Sequence, residues 1–183
     1  MESSHAGDPD LPLLHRIAAG DAEACRALVD RHLAVLHATA SRLLGDPAEA
    51  DDVCQEVFLS AWQAARSWQP GRARFRTWML RVATNACHDR HRRRRPQDPE
   101  ALDALESLAP DPEQRTTLDE REQRLRAALA ELPERQRAAI VLCHFDDCSQ
   151  AEAAGILEIS EEALESLLAR GRRRLRELLV DTR

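Results

Sequence analysis

The sequence predicts an all-α protein made of two small helical domains joined by a flexible linker, with a helix-turn-helix in the second. Three observations carry this reading. The composition is 43% hydrophobic and 32% charged, dominated by the Ala, Leu, Glu and Arg that favour helices, while aromatic residues are 3% and Tyr is absent, which excludes a strand-rich enzyme fold. Apolar residues recur at steps of three and four through several long segments. A Pro- and acid-rich stretch then divides the 183 residues into two unequal parts, in keeping with about 100 to 200 residues per medium domain or two smaller ones.

The elements follow in order. After an acidic, Pro-containing start, residues 21–44 read as a helix on the recurrence of Val29, Leu33, Leu36, Ala40 and Leu43, and Gly45 stops it. Asp46-Pro47-Ala48-Glu49 is a start signal: an Asp cap, Pro at the first helical position and a Glu near the positive end of the helix. The second helix is expected to reach about Arg66, burying Ala50, Val53, Val57 and Ala61, with Cys54 and Phe58 beside them. Residues 67–74 turn through Pro70-Gly71, and a third long helix runs from Phe75 to Arg94 with Phe75, Met79, Val82 and Ala86 inward. Pro96, Pro99, Pro110 and Pro112 interrupt the next stretch, so residues 96–115 read as the linker between domains at 1–95 and 116–183. Short helices are expected at 117–130, 134–145, 150–157 and 161–180. Ser149 and Glu152 form a capping box and Ser160 caps the last helix, leaving only the turn Leu157-Glu158-Ile159 between the final two.

The formal net charge of -6 argues at first against a nucleic-acid partner, yet it is an average over opposed blocks. Residues 1–70 carry five Arg against eleven acids, 71–95 nine against one, 96–131 four against ten, and 132–183 eight against ten. All 26 basic residues are Arg. A concentrated basic block marks where a polyanion can sit, which the whole-chain charge does not. No apolar run reaches the roughly 18 to 20 residues of a membrane span, and the start lacks the basic opening of a signal peptide, so a soluble cytoplasmic chain is expected.

Three constellations stand out. On the third helix Arg81, Asn85, His88, Arg92 and Arg95 share one stripe, preceded by Arg72, Arg74 and Arg76 and flanked by Trp68 and Trp78. Guanidinium groups for phosphate, an amide for a base edge and rings for stacking suit a melted or single strand; the alternative is a solvated helix end beside core tryptophans. Asp51, Asp52, Gln55 and Glu56 form an acidic and amide ridge on the second helix. It reads as a docking surface for a basic partner or as ordinary surface charge, since no nucleophile joins it to make an active site. The last helix has an apolar stripe of Leu164, Leu168, Gly171, Leu175 and Leu178. Its other face carries Ser166, Arg170, Arg173 and Arg174, favourable to DNA, but also Glu161, Glu162 and Glu165 at the leading end, which repel phosphate. Cys87 with His91, and Cys143 with His144 and Cys148, fall short of a four-ligand metal set. The five cysteines read as reduced, packed thiols, and no cofactor or metal is expected.

Taken together, these residues resemble the extracytoplasmic-function sigma factors, the two-domain promoter-specificity subunits of bacterial RNA polymerase. Leu43-Leu44-Gly45-Asp46-Pro47 with Asp51-Asp52-Val53-Cys54-Gln55-Glu56-Val57-Phe58 is similar to the family's polymerase-docking segment. Phe75-Arg76-Thr77-Trp78-Met79-Leu80-Arg81-Val82-Ala83-Thr84-Asn85-Ala86-Cys87-His88-Asp89-Arg90 resembles its melting and minus-10 segment. Leu132-Pro133-Glu134-Arg135-Gln136-Arg137 with Ser149-Gln150-Ala151-Glu152-Ala153-Ala154 resembles the start of its minus-35 domain.

The resemblance implies a non-catalytic subunit that recognises a promoter and helps melt it. It places Asp51, Asp52, Gln55 and Glu56 on the polymerase clamp helices, and Arg74, Arg76, Trp78, Arg81, Asn85, His88 and Arg92 on the minus-10 strand. Ser160, Ser166, Arg170, Arg173 and Arg174 fall on minus-35 DNA. Partners so implied are core polymerase through clamp and flap, promoter DNA and an anti-sigma protein. The chain departs from the family at Glu162-Ala163-Leu164-Glu165-Ser166-Leu167-Leu168, where Glu165 and Leu167 stand in place of a Lys and an Arg. It ends soon after the last helix, so no sensing extension is expected. The rival classes are a polymerase-independent helix-turn-helix regulator and a helical Cys/His metal or redox protein.

Overall fold

A computed structural model describes residues 7–71, 73–94 and 120–180, with side chains from residue 123 onward in the last segment. The described residues form eight helices: α1 (Leu11–Ala18), α2 (Ala22–Leu44), α3 (Pro47–Ala65), α4 (Phe75–Arg94), α5 (Glu120–Ala130), α6 (Glu134–His144), α7 (Gln150–Leu157) and α8 (Glu161–Val180). The linker expected at 96–115 lies outside the described residues, as do Arg72 and Arg95 of the basic block.

Helices α1 to α4 pack together around α2, and α5 to α8 around α8. The first group buries Leu14, Leu28, Leu36, Val53, Val57, Phe75, Met79 and Leu80, and the second Leu129, Leu142, Ile156 and Leu164. The two groups also touch each other, α2 meeting α5 and α6 while α4 meets α7, so that one buried cluster runs through both.

Local signals set most boundaries. Asp21 caps α2 through the amides of Glu23 and Ala24, and Gly45, at φ +75°, ends it in the left-handed region where Gly carries no Cβ penalty. Asp46 caps α3 and Pro47 opens it. The Ser149–Glu152 capping box opens α7. At Gly171 a Cβ would lie 3.0 Å from Ile140 Cγ1, so this glycine is what lets α8 close against α6.

Two expectations need correction. The acidic, Pro-containing start, for which the sequence reading gave no element, holds α1. Asp8 accepts from the Phe75 amide at 2.6 Å and so caps α4 from 67 residues away, while buried Asp10 meets Arg31 at 2.7 Å and His32 at 2.9 Å. Burial alone would raise the Asp10 carboxyl, but the His32 and Arg31 hydrogen bonds outweigh it and hold the group below the usual range. The second correction follows from the first. With His32 turned inward to meet Asp10, Leu28 and His32 are buried and Leu33 faces out, 41% exposed. On α4, Leu80, Ala83, Thr84 and Cys87 are buried, while Val82 and Ala86 are only half-buried.

Candidate nucleic-acid interface

On α3, the buried row Ala50, Val53, Cys54, Val57, Phe58 and Ala61 turns Asp51, Asp52, Gln55 and Glu56 to the surface, and all four are exposed. Glu56 accepts two hydrogen bonds from Arg90 of α4, at 2.7 and 3.2 Å, and that pairing raises the Arg90 pKa. Asp51 lies 3.4 Å from His37. Asp52 and Gln55 have no side-chain partner among the described residues. Sequence reasoning missed the continuation of this ridge: Leu59, 54% exposed, and Trp62, 36% exposed, prolong it with apolar surface. Their steps of four and seven from Gln55 were the available signal.

The α4 stripe is assembled on the surface, Arg81 exposed and His88 half-buried, and several of its neighbours meet the second helical group. Arg81 donates to Glu158 Oε1 at 2.8 Å, and His88 Nδ1 lies 2.6 Å from Glu134 Oε1. Arg76 donates to the Asp146 carbonyl at 2.6 Å, and the Thr77 hydroxyl donates to Glu152 at 2.9 Å. All four partners belong to the second helical group. Asn85 and Arg92 stay exposed, Arg92 paired with Asp89 at 2.9 Å on its own helix, and Arg74 is exposed near Glu152. Trp78 is half-buried, its ring stacked on Phe75 at 5.2 Å, with Trp68 edge-on to both. The aromatic cluster thus braces the start of α4 as well as flanking its cationic face.

The junction of α7 and α8 is the expected short turn. Glu158 takes a left-handed conformation at φ +55°, and the Ser160 hydroxyl accepts from the Ala163 amide at 3.2 Å. Leu164, Leu168 and Gly171 are buried, which leaves Ser166, Arg170, Arg173 and Arg174 outward. The three arginines share a groove with Glu131, Pro133, Gln136 and Glu177. Glu161, Glu162 and Glu165 lie exposed at the leading end, and hydrogen bonds from its own amide and the Ser160 hydroxyl hold the Glu162 carboxyl low.

The cysteines are packed thiols. Burial pushes Cys54 up to about 11, and Cys87 and Cys148 up to about 12, so each keeps its proton and is a poor nucleophile or metal ligand. His91 is turned to the Leu43 carbonyl at 3.0 Å. No group of three or more His, Cys, Asp or Glu side chains among the described residues is placed to hold a metal. Nor is any helix among them long and apolar enough to cross a membrane.

Family models for sigma-70 region 2 and sigma-70 region 4 match residues 28–97 and 122–175. The chain is 34% identical to the RNA polymerase sigma factor CnrH of Cupriavidus metallidurans, over 94% of this chain and 95% of that one. The chain belongs to the ECF sigma factors. This sigma factor is also 30% identical to the ECF sigma factor SigW of Bacillus subtilis, over 92% of its length and 95% of the relative's. Among solved structures it matches CnrH in complex with the cytosolic domain of CnrY, at a TM-score of 0.71 and 31% identity, covering 95% of this chain and 99% of that one. It also matches RpoE in complex with the anti-sigma factor NepR from Bartonella quintana, at 0.66 and 28%, covering 86% and 99%. As a sigma factor it directs transcription initiation by RNA polymerase, with α3 and α4 inside the region 2 match and most of α5, all of α6 and α7, and α8 as far as Leu175 inside region 4.

Proposed function

We propose that this sigma factor works without catalytic chemistry of its own, as a cytoplasmic subunit whose domains at 1–95 and 116–183 take separate roles across the linker at 96–115. The α3 ridge of Asp51, Asp52, Gln55 and Glu56, extended by Leu59 and Trp62, docks on the polymerase clamp helices, and the second domain meets the flap. On α4, Arg74, Arg76, Arg81, His88 and Arg92 hold phosphates of the melted minus-10 strand, Asn85 reads a base edge, and the exposed part of Trp78 offers a stacking surface. Ser160, Ser166, Arg170, Arg173 and Arg174 engage minus-35 DNA, with Glu161, Glu162 and Glu165 limiting which phosphates can approach. The solved complexes of CnrH with CnrY and RpoE with NepR support an anti-sigma partner here too.

The observation that carries this reading is the α4 stripe, four polar or cationic side chains on one face of a helix whose opposite face is core. Run-off transcription with purified core enzyme tests it. Arg81→Ala and Asn85→Ala are each expected to lower open-complex formation about tenfold with core binding intact, the worth of one good base or phosphate contact. Asp52→Arg is expected to weaken core binding about tenfold. Normal melting by both α4 variants would remove the stripe from the mechanism.

A further inference from the structure

Helix α4 begins where its own segment offers nothing to begin it. The four residues before it, Gly71-Arg72-Ala73-Arg74, carry no side-chain oxygen that could accept from the amides of a first turn. The acceptor is Asp8, whose Oδ2 takes the Phe75 amide at 2.6 Å while its Oδ1 takes the Asp10 amide at 3.0 Å. Both carboxylate oxygens are in use, on a residue only 7% exposed and against a Phe75 that is fully buried.

Asp8 is itself held in place. Arg31 of α2 donates to the Pro9 carbonyl at 2.8 Å and to Asp10 Oδ1 at 2.7 Å, and His32 Nε2 lies 2.9 Å from Asp10 Oδ2. Asp10 and His32 are buried, so a bracket of hydrogen bonds runs from α2 to the start of α4 with little access to water. Hydrogen bonds to buried carboxylates are short, strong and costly to leave unmade, and they fix position. What this bracket fixes is the first turn of α4 and the loop that feeds it. The Phe75 ring stacks on Trp78 at 5.2 Å and meets the edge of Trp68 at 4.8 Å, which ties the loop to the same point. Arg74, Arg76 and Trp78 leave the backbone within one turn of the Phe75 amide, so a change in where that turn starts carries all three side chains with it.

We propose that Asp8 is a positioning residue for strand capture, its carboxylate fixing the first turn of α4 so that Arg74, Arg76 and Trp78 face the melted strand together. This rests on the assignment of α4 to that strand. Asp8 touches no nucleic acid: it works through the Phe75 amide, and Asp10 with Arg31 and His32 keeps it there. The segment that opens α1, far in sequence from the strand residues, thus serves melting and not the polymerase-docking ridge, whose helix α3 starts from its own Asp46-Pro47.

The test uses the full chain with core polymerase. Open-complex formation on duplex promoter DNA is read from the permanganate reactivity of unpaired thymines, and polymerase binding from fluorescence anisotropy. Asp8→Ala is expected to lower open complexes about tenfold while polymerase affinity stays within about twofold, and Asp8→Asn, whose one amide oxygen can still accept from Phe75, to lower them about threefold. Asp21→Ala removes the cap of α2 in the same domain and is expected to leave melting unchanged, which controls for a general loss of stability. A second readout needs no polymerase. In a Trp62→Phe background emission comes from Trp68 and Trp78 alone, and Asp8→Ala is expected to shift it to the red and to raise its quenching by acrylamide with helix content retained. Unchanged open complexes in Asp8→Ala, a parallel loss of polymerase binding, or an equal melting defect in Asp21→Ala overturns the proposal. Where Asp8→Ala does not fold, Asp8→Asn decides, and wild-type melting by it is then the overturning result. The strand assignment is judged separately: it stands if Arg81→Ala impairs melting while Asp8→Ala does not, and falls if both Arg81→Ala and Asn85→Ala melt normally.

Discussion

Helices α3 and α4 lie side by side in one domain, are of similar length, and differ in where their determinants come from. α3 carries its own start in Asp46-Pro47, and its outer face needs only its buried face to be presented. α4 is capped by Asp8, from 67 residues upstream, and Thr77, Arg81 and His88 on it meet side chains from the second helical group. The start of α3 is set within its own segment, whereas α4 depends on residues far away in the chain.

The contrast is broken most strongly by loosening the second helical group. Gly171→Leu forces a side chain into a space where even a Cβ would be 3.0 Å from Ile140, and overpacking of this kind costs about 3 kcal/mol. Thermal melting should show the second domain loosening while Trp fluorescence from the Trp68–Phe75–Trp78 cluster persists; loss of both in one transition would mean the domains do not unfold separately.

A graded perturbation comes from protons. Burial, first of all, pushes the Asp146 carboxyl up to about 6, against the pull of Thr39, Arg76 and Arg42, with neighbouring Asp147 adding to the rise. The closed form holds this proton up to about pH 6, while an exposed carboxyl releases it near 4. Closure is thus fully supported below about pH 4 and loses that support as the pH rises through 6, a change in the closed-to-open ratio on the order of a hundredfold. Scattering measured from pH 4 to 7 should show the radius increasing, and Asp146→Asn, which mimics the protonated group, should flatten the profile. An unaltered profile in that variant would assign the pH response elsewhere.

The smallest effects separate the two caps. Asp8→Ala strands a buried amide at Phe75 and is expected to cost about 2 kcal/mol, near the penalty for an unsatisfied buried group. Asp46→Ala exposes its amides to solvent and should cost about 1 kcal/mol. Equal losses in chemical denaturation would contradict the idea that α4 leans on distant residues more than α3 does.

The same distinction explains what could be read from the sequence. Helix ends at Gly45, Asp46, Ser149 and Ser160 were legible because each signal lies within a few residues of the end it sets. The apolar stripe of α8 and the outward ridge of α3 were legible from periodicity alone. What escaped were relations across long separations: Asp8 with Phe75, Asp10 with His32, Glu152 with Thr77. Leu33 was placed inward on a stripe of apolar residues alone, whereas the buried face also takes His32, whose partner Asp10 lies 22 residues upstream. The cationic stripe was found, but not its contacts with the second helical group, because acids that serve as local caps in α7 gave no sign of a second use.

Arg137 illustrates the last point. Its guanidinium, 9% exposed, donates to the carbonyls of Ala130 and Leu132 in its own domain and to that of Leu43 at the end of α2, so one side chain spans the two domains. Its hydrogen-bond acceptors are carbonyls, not a carboxylate, and burial lowers its pKa. Separating the domains exposes apolar surface at a cost, yet it also returns Arg137 and Asp146 to water, whose solvation both groups gave up on closing. The seam between the domains therefore carries a desolvation cost at Arg137 and Asp146 that offsets part of what its apolar contacts contribute.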